Sequence, residues 1–293
     1  MPPSYLFLNG QRLHYLYWNQ EAAGQPVVLL HGLASNARIW ERVAPYLSEH
    51  GLTSFSPDQR SHGLSDKPDG EYGFETYRHD LRAFIDGLNL ERSVLVGHSW
   101  GALLALDYAA EFPLGPHAPA GVVLVDGGVS QLDRSPGATW ESVSEGLAPP
   151  GLAGMPQEDF LALHARHTRS WDPQGESAQI VLANFEIAAD ETIRPHLTFE
   201  RHMQILRSIW EFQTFERLAR LRCPACAILA VPPASQDSQE AGYLVANQRD
   251  AERALQVKPD LQIHWMADTV HDIPLQRPAE LGDLIAGFVR QLR

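Results

Sequence analysis

Cysteine is scarce in this chain: its 293 residues contain two, Cys223 and Cys226, too few for a disulfide framework. Positive charge is also short, with 23 Lys and Arg against 36 Asp and Glu and a formal net charge of -13. So acidic a chain lacks the basic footprint that holds a phosphate backbone, which argues against nucleic acid as a partner. No apolar stretch approaches the ~18 residues of a membrane span. Met1-Pro2-Pro3-Ser4 lacks a charged region followed by an apolar one, so a soluble, cytoplasmic protein with no membrane partner is expected. Repeats, low-complexity tracts and long charge blocks are absent too, which excludes a solenoid or a binding tail.

The composition that remains is 44% hydrophobic, enough for a large core. Tyr5 and Phe7, then Leu13, Tyr15 and Tyr17, alternate around Asn9-Gly10, a dipeptide favoured in tight turns, and predict an antiparallel hairpin. The runs 27–30, 93–96, 122–125 and 227–231 are short and almost wholly apolar, as strands covered on both faces are. Tyr77, Leu81, Phe84, Ile85 and Leu88 repeat at helical spacing, as do Leu281, Leu284, Ile285, Phe288 and Leu292. Strands alternating with helices imply βαβ units and a mostly parallel sheet with helices on both faces. About 100 residues separate the third and fourth apolar runs, far more than one crossover needs, so something is inserted there. Helical spacings around 160–163, 180–187 and 203–215, with Trp140, Trp171 and Trp210, predict a helical lobe over the sheet. The expected organisation is one α/β core, residues 1–130 and 221–293, interrupted by a helical cap at 131–220.

The sharpest motif is Gly97-His98-Ser99-Trp100-Gly101, between the apolar run 93–96 and an apolar helix at 102–112. A serine hydroxyl is a poor nucleophile unless a tight turn lifts it clear of the backbone and a base takes its proton. G-x-S-x-G between strand and helix supplies that turn. His31-Gly32-Leu33 follows the first apolar run as a second loop, where Gly32 admits close backbone approach. The N–H groups of Leu33 and Trp100 are the expected oxyanion donors, and Trp100, Leu33 and His31 the expected substrate-binding residues. Cys223-Pro224-Ala225-Cys226 has a redox-like spacing, yet it leads into a strand rather than opening a helix, so inert thiols are expected. His164 and His167 are close enough on a helix to share a metal, but no third ligand set surrounds them, and no metal is expected.

With these motifs in order, the sequence resembles the α/β-hydrolase superfamily, in its serine branch with a helical cap. Asp58-Gln59-Arg60-Ser61-His62-Gly63-Leu64-Ser65-Asp66-Lys67-Pro68 is similar to the family's D-x-R-G-x-G-x-S-D-x-P segment, with Ser61 in place of a glycine. The resemblance implies the α/β-hydrolase fold, no cofactor, and a general base near the C-terminus. His271, in Thr269-Val270-His271-Asp272-Ile273-Pro274, fits that place, with Val270 where the family has glycine. The same resemblance puts the triad acid after the strand that follows the cap, but there the chain reads Pro232-Pro233-Ala234-Ser235-Gln236-Asp237. Some branches carry the acid one strand earlier, at a position matched by Asp126. Asp126 is therefore the favoured acid, Asp237 the alternative, and Asp268 a further option. A serine rather than an aspartate at position 99 argues against dehalogenase and epoxide-hydrolase chemistry. The expected activity is hydrolysis of a small to medium, mainly apolar carboxylic ester or lactone through an acyl-enzyme on Ser99. Carbon–carbon bond hydrolysis, perhydrolysis and a catalytically silent ligand-binding protein stand as alternatives.

Overall fold

Alternation of apolar and polar side chains sets the first two elements. Ser4–Leu8 (β1) and Gln11–Trp18 (β2) pair antiparallel across a turn at Asn9 and Gly10, whose φ angles of 49° and 76° suit those two residue types. The computed structural model describes residues 4–22, 24–134, 137–167, 175–233 and 238–292. Val27–Leu30 (β3) leads through a 3₁₀ turn at Ala37–Trp40 into a short helix, Ala44–Glu49 (α1). Ser54–Pro57 (β4), Phe74–Gly87 (α2), Val94–His98 (β5), Trp100–Glu111 (α3) and Gly121–Val125 (β6) follow.

The segment after β6 contains Trp140–Gly146 (α4), Gln157–His167 (α5), Glu176–Leu182 (α6), the strands Phe185–Ile187 (β7) and Ile193–Pro195 (β8), Phe199–Glu211 (α7) and Thr214–Arg220 (α8). Ala225–Val231 (β9), Ser238–Val257 (α9), Gln262–Ala267 (β10), Ile273–Gln276 (α10) and Pro278–Gln291 (α11) complete the chain. Eight strands form one sheet in the order β1-β2-β4-β3-β5-β6-β9-β10, parallel from β4 to β10 and antiparallel at the hairpin end.

The contiguous apolar runs are explained by burial on both faces. Val27, Leu29, Val94, Val96 and Val123 pack with Trp40, Leu47, Ile285 and Val289, whereas Val28, Leu30, Leu95 and Leu124 pack with Phe84, Leu104 and Tyr108. Cys226 lies among the first set, and burial pushes its thiol up to about 12 and that of Cys223 to about 11, so neither is a thiolate near neutral pH. Among the described residues no helix is long and apolar enough to cross a membrane.

Two local expectations need correction, and one strand left little signal in the sequence. The helical spacing at 180–187 spans two different elements: α6 ends at Leu182, and Phe185–Ile187 pairs with Ile193–Pro195 as a hairpin whose turn holds Glu191 at φ 62°. The run 203–215 is broken at Phe212 and Gln213 into α7 and α8. The strand β4 gives little apolar signal because Ser54 and Ser56 are fully buried in it, and Ser56 Oγ is satisfied by the Leu29 and Ala37 carbonyls at 3.1 and 3.2 Å. Trp171 lies outside the described residues.

The segment between β6 and β9 is tied to the sheet by polar contacts. Asn36 Nδ2 donates to the Ile180 carbonyl at 3.2 Å, while within the segment Thr214 Oγ1 donates to the Ser130 carbonyl at 2.7 Å. At its end, Arg217 joins Arg78 on the fully buried Asp107 carboxylate, at 3.3 and 2.5 Å. Buried charge is tolerated there because both cations meet it.

Candidate active site

Parallel strands present their carboxyl ends together, and this register brings three loops into contact. Leu30 pairs with Gly97, and His98 with Val125, so the residues that follow β3, β5 and β6 emerge side by side. At the end of β5 the chain turns sharply into α3, holding Ser99 at φ 55° and ψ -119°. A conformation of this kind costs a side-chain-bearing residue about 1–3 kcal/mol. Its flanking glycines are required by space: a Cβ on Gly97 would strike the backbone of Gly101, and one on Gly101 the Leu30 carbonyl. Although Ser99 occupies the N-cap position, its side chain caps nothing in the helix.

Ser99 Oγ instead lies 2.9 Å from His271 Nε2. On the other side of the imidazole, His271 Nδ1 is 2.7 Å from Asp126 Oδ2. Asp126, the residue after β6, is held at φ 45°; its N–H donates to the Ile228 carbonyl at 2.8 Å, and its Oδ1 accepts from the Ala230 N–H at 2.9 Å. One carboxylate oxygen is thus fixed by β9 while the other receives the imidazole. The carboxylate is fully buried, and the His271 side chain is 50% exposed. Enclosure alone would lower the His271 pKa, but the hydrogen bond and charge of Asp126, with the charge of Asp272, outweigh it and raise the pKa above the ordinary histidine value. Nδ1–H donates to Asp126, so Nε2 has a lone pair free to accept from the serine hydroxyl.

His98 anchors the loop that carries His271. Its Nε2–H donates to the His271 carbonyl at 2.8 Å, the two ring centroids are 4.8 Å apart, and Nδ1 has no partner among the described residues. Burial, reinforced by the neighbouring His271, pulls the His98 pKa down to about 4, so the ring is neutral.

The β3 loop is organised by two further imidazoles. His31, expected among the substrate-binding residues, is instead fully buried: its Nδ1–H donates to the Gly32 carbonyl at 2.8 Å, and Nε2 accepts from the Gln59 N–H at 3.0 Å. Both nitrogens serve loop geometry, and the ring lines no part of the cavity beside Ser99. His62 donates from Nδ1 to the Arg60 carbonyl at 2.9 Å and accepts the Ala34 N–H at 3.3 Å, while stacking on Trp100 at 5.5 Å between centroids. The glycine position taken by Ser61 does require a left-handed backbone, φ 64°, and the serine hydroxyl is used in a 2.7 Å hydrogen bond with Tyr72. The Leu33 and Trp100 N–H groups donate to no acceptor among the described residues. A cavity of about 290 Å³ opens on Ser99, lined by Leu33, Trp100, Leu206, Ile209 and Thr214 among others. A serine hydroxyl, an imidazole hydrogen-bonded to a buried carboxylate and two backbone N–H groups therefore border a mainly apolar space, a geometry that can serve acyl transfer.

Asp237, the alternative acid, lies outside the described residues. Asp268 adopts φ 54°, and its carbonyl accepts from Gln276 at 3.3 Å; its carboxylate makes no ion pair with His271. His164 stacks on Phe160, the His167 side chain lies outside the described residues, and among the described residues no group of three or more His, Cys, Asp or Glu is arranged to hold a metal ion. Leu206, Ile209 and His202 of α7 and Thr214 at the start of α8 all line the cavity but are not legible in the sequence as cavity residues, because helical spacing does not say which face of either helix looks toward the sheet.

A family model described as alpha/beta hydrolase fold matches residues 25–172. The chain is 35% identical over 113 residues to a cis-3-alkyl-4-alkyloxetan-2-one decarboxylase of Shewanella oneidensis, covering 37% of this chain and 34% of that one. It is 36% identical over 94 residues to a 2-(acetamidomethylene)succinate hydrolase of Mesorhizobium japonicum, covering 32% of this chain and 34% of the relative. The matches thus span a quarter to a third of the length of these curated relatives. Among solved structures, that of an E-2-(acetamidomethylene)succinate hydrolase superposes with a TM-score of 0.75 over 98% of both chains at 19% identity.

Proposed function

As the chain belongs to the alpha/beta hydrolase fold family, we propose that it is a serine hydrolase cleaving a carboxylic ester or lactone through an acyl-enzyme on Ser99. One observation carries this reading: the unbroken hydrogen-bonded line from Asp126 through His271 to Ser99, at 2.7 and 2.9 Å.

In this mechanism His271 Nε2 takes the Ser99 proton as Oγ attacks the carbonyl carbon. Leu33 and Trp100 N–H groups receive the oxyanion, and Asp126 stabilises the imidazolium and keeps Nδ1 protonated. His271 then gives its proton to the departing oxygen, and water, activated by the same base, releases the acid. The segment 131–220 acts as the cap that admits substrate, and a small-molecule ester or lactone is the partner. With the acid at Asp126, the loop after β9 need supply no carboxylate, which favours an enzyme over a silent binding protein.

A panel of p-nitrophenyl esters of increasing chain length, with several lactones, tests the reading. Turnover of at least one class that disappears in Ser99→Ala is expected; turnover equal in the two proteins would exclude it.

A further inference from the structure

Among the described residues, a second cavity joins the one beside Ser99 between the strand ends and the covering segment. The first opens on Ser99. The second, of about 400 Å³, is bounded by Ala34 and His62 from the sheet side and by Pro149, Leu152 and Phe185 from the covering segment. His202 belongs to the walls of both, and the β3 loop passes from one to the other, Leu33 facing the first and Ala34 the second. The partition is therefore the His202 ring together with the loop whose Leu33 N–H is the proposed oxyanion donor. His202 is 7% exposed, and its Nε2–H donates to the Leu147 carbonyl at 3.2 Å, which fixes the stretch of chain roofing both spaces.

The lining of the second cavity selects by charge. Its imidazoles, His62, His196 and His202, all have pKa values lowered, chiefly by burial, and are neutral at neutral pH. Arg194, the cation lining it among the described residues, is 71% exposed and stands 3.6 Å from Glu186. A carboxylate brought into this space would lose water without gaining a buried cation, whereas alkyl or aryl surface would gain from the apolar walls. Size points the same way: ligand cavities span roughly 300–1,000 Å³, and the Ser99 cavity reaches that range comfortably only when joined to its neighbour.

We propose that the second cavity is a specificity compartment for an uncharged, apolar arm of the substrate, so that the preferred ester or lactone carries apolar groups on both sides of its carbonyl. This rests on the assignment of Ser99 as nucleophile. The carbonyl sits at the partition, one arm remains beside Trp100 and Ile209, and the other passes His202 into the space under Pro149 and Leu152.

Leu152→Trp, which narrows only the second cavity, tests this, with Ala153→Trp as a second variant should the first not fold. Wild-type kcat/KM is expected to rise at least tenfold from p-nitrophenyl acetate to p-nitrophenyl octanoate or from ethyl to octyl acetate. The Leu152→Trp variant should remove that gain while keeping p-nitrophenyl acetate within twofold of wild type. The mono-p-nitrophenyl ester of octanedioic acid, which places a carboxylate at the end of the arm, should fall at least tenfold below octanoate. Rates independent of arm length, equal losses on short and long substrates, or equal rates with the carboxylated arm would each overturn the proposal. Calorimetric binding of 2-decanone to Ser99→Ala separates the two readings: the ketone should bind, and at least tenfold more weakly once Leu152→Trp is added. Binding that behaves so without turnover in wild type removes the Ser99 assignment alone, and binding that is absent or unchanged by Leu152→Trp removes the compartment.

Discussion

The strand ends and the segment that covers them are built differently. Every residue of β3, β5 and β6 is buried, and Ser99 and Asp126 follow directly on two of these strands. In the covering segment α6 buries five of its seven residues, but α4 has no buried residue, β7 is largely exposed, and α7 buries only His202, Ile205 and Leu206. A backbone locked in a two-faced core holds reacting groups to a fraction of an ångström, because moving them means opening the core. A covering segment held by one face and a few hydrogen bonds can change its lining at small cost to the fold. Under the proposed function, the difference assigns chemistry to the sheet and selectivity to the cover.

Substitutions at the strand ends should therefore abolish activity and leave the fold intact. Ser99→Ala and His271→Ala are each expected to lower kcat/KM by about 10⁴–10⁶-fold, with melting temperatures near wild type, measured by ester hydrolysis and thermal unfolding. Asp126→Asn should cost about 10³–10⁴-fold, since an amide leaves the imidazole in the wrong tautomer. Its pH profile adds a sign. The base must be neutral, and Asp126 raises its pKa, so the acid limb of kcat/KM in the wild type lies above the ordinary histidine value of 6.5. Loss of the carboxylate should move the limb to lower pH, and a limb that stays in place or rises would show that another group sets it.

The buried imidazoles of the sheet side predict acid sensitivity. His98 titrates at about 4 when folded and near 6.5 when unfolded, so its contribution is complete above the unfolded value and declines as pH falls toward 4, by about 3 kcal/mol in all. His31 and His62, also lowered by burial, add in the same direction. Urea midpoints between pH 7 and 4.5 should fall, and fall less steeply in His98→Leu. The smallest effect belongs to the cover: Ile209→Ala, on the wall of the Ser99 cavity, should change KM by less than tenfold and leave kcat for p-nitrophenyl acetate within about threefold. A loss in kcat like that of Asp126→Asn would break the division between the two regions.

The same division governs what can be read in the sequence. Strands β3, β5, β6 and β9 are legible because two-sided burial demands unbroken apolar runs, and Ser99 because glycines at 97 and 101 have a spatial cause. The partnership of Asp126 with His271 is reached only through the family resemblance, since it depends on β6, β9 and β10 lying side by side, which no local pattern records. The burial of His31 is not legible, because a histidine beside a glycine loop shows nothing of the Gln59 and Gly32 groups that occupy its nitrogens. In the cover, a helix-spaced run conceals the end of α6 and the β7–β8 hairpin, as amphipathic spacing is ambiguous over so few residues.

The central claim is that Asp126, His271 and Ser99 act as one unit on a carbonyl. Labelling the folded protein with a fluorophosphonate and locating the adduct by peptide mass spectrometry tests it most directly. The account predicts a single adduct on Ser99, absent in Ser99→Ala and formed far more slowly in His271→Ala and Asp126→Asn. An unlabelled wild type, an adduct on another residue, or labelling at the same rate in all three variants would contradict it.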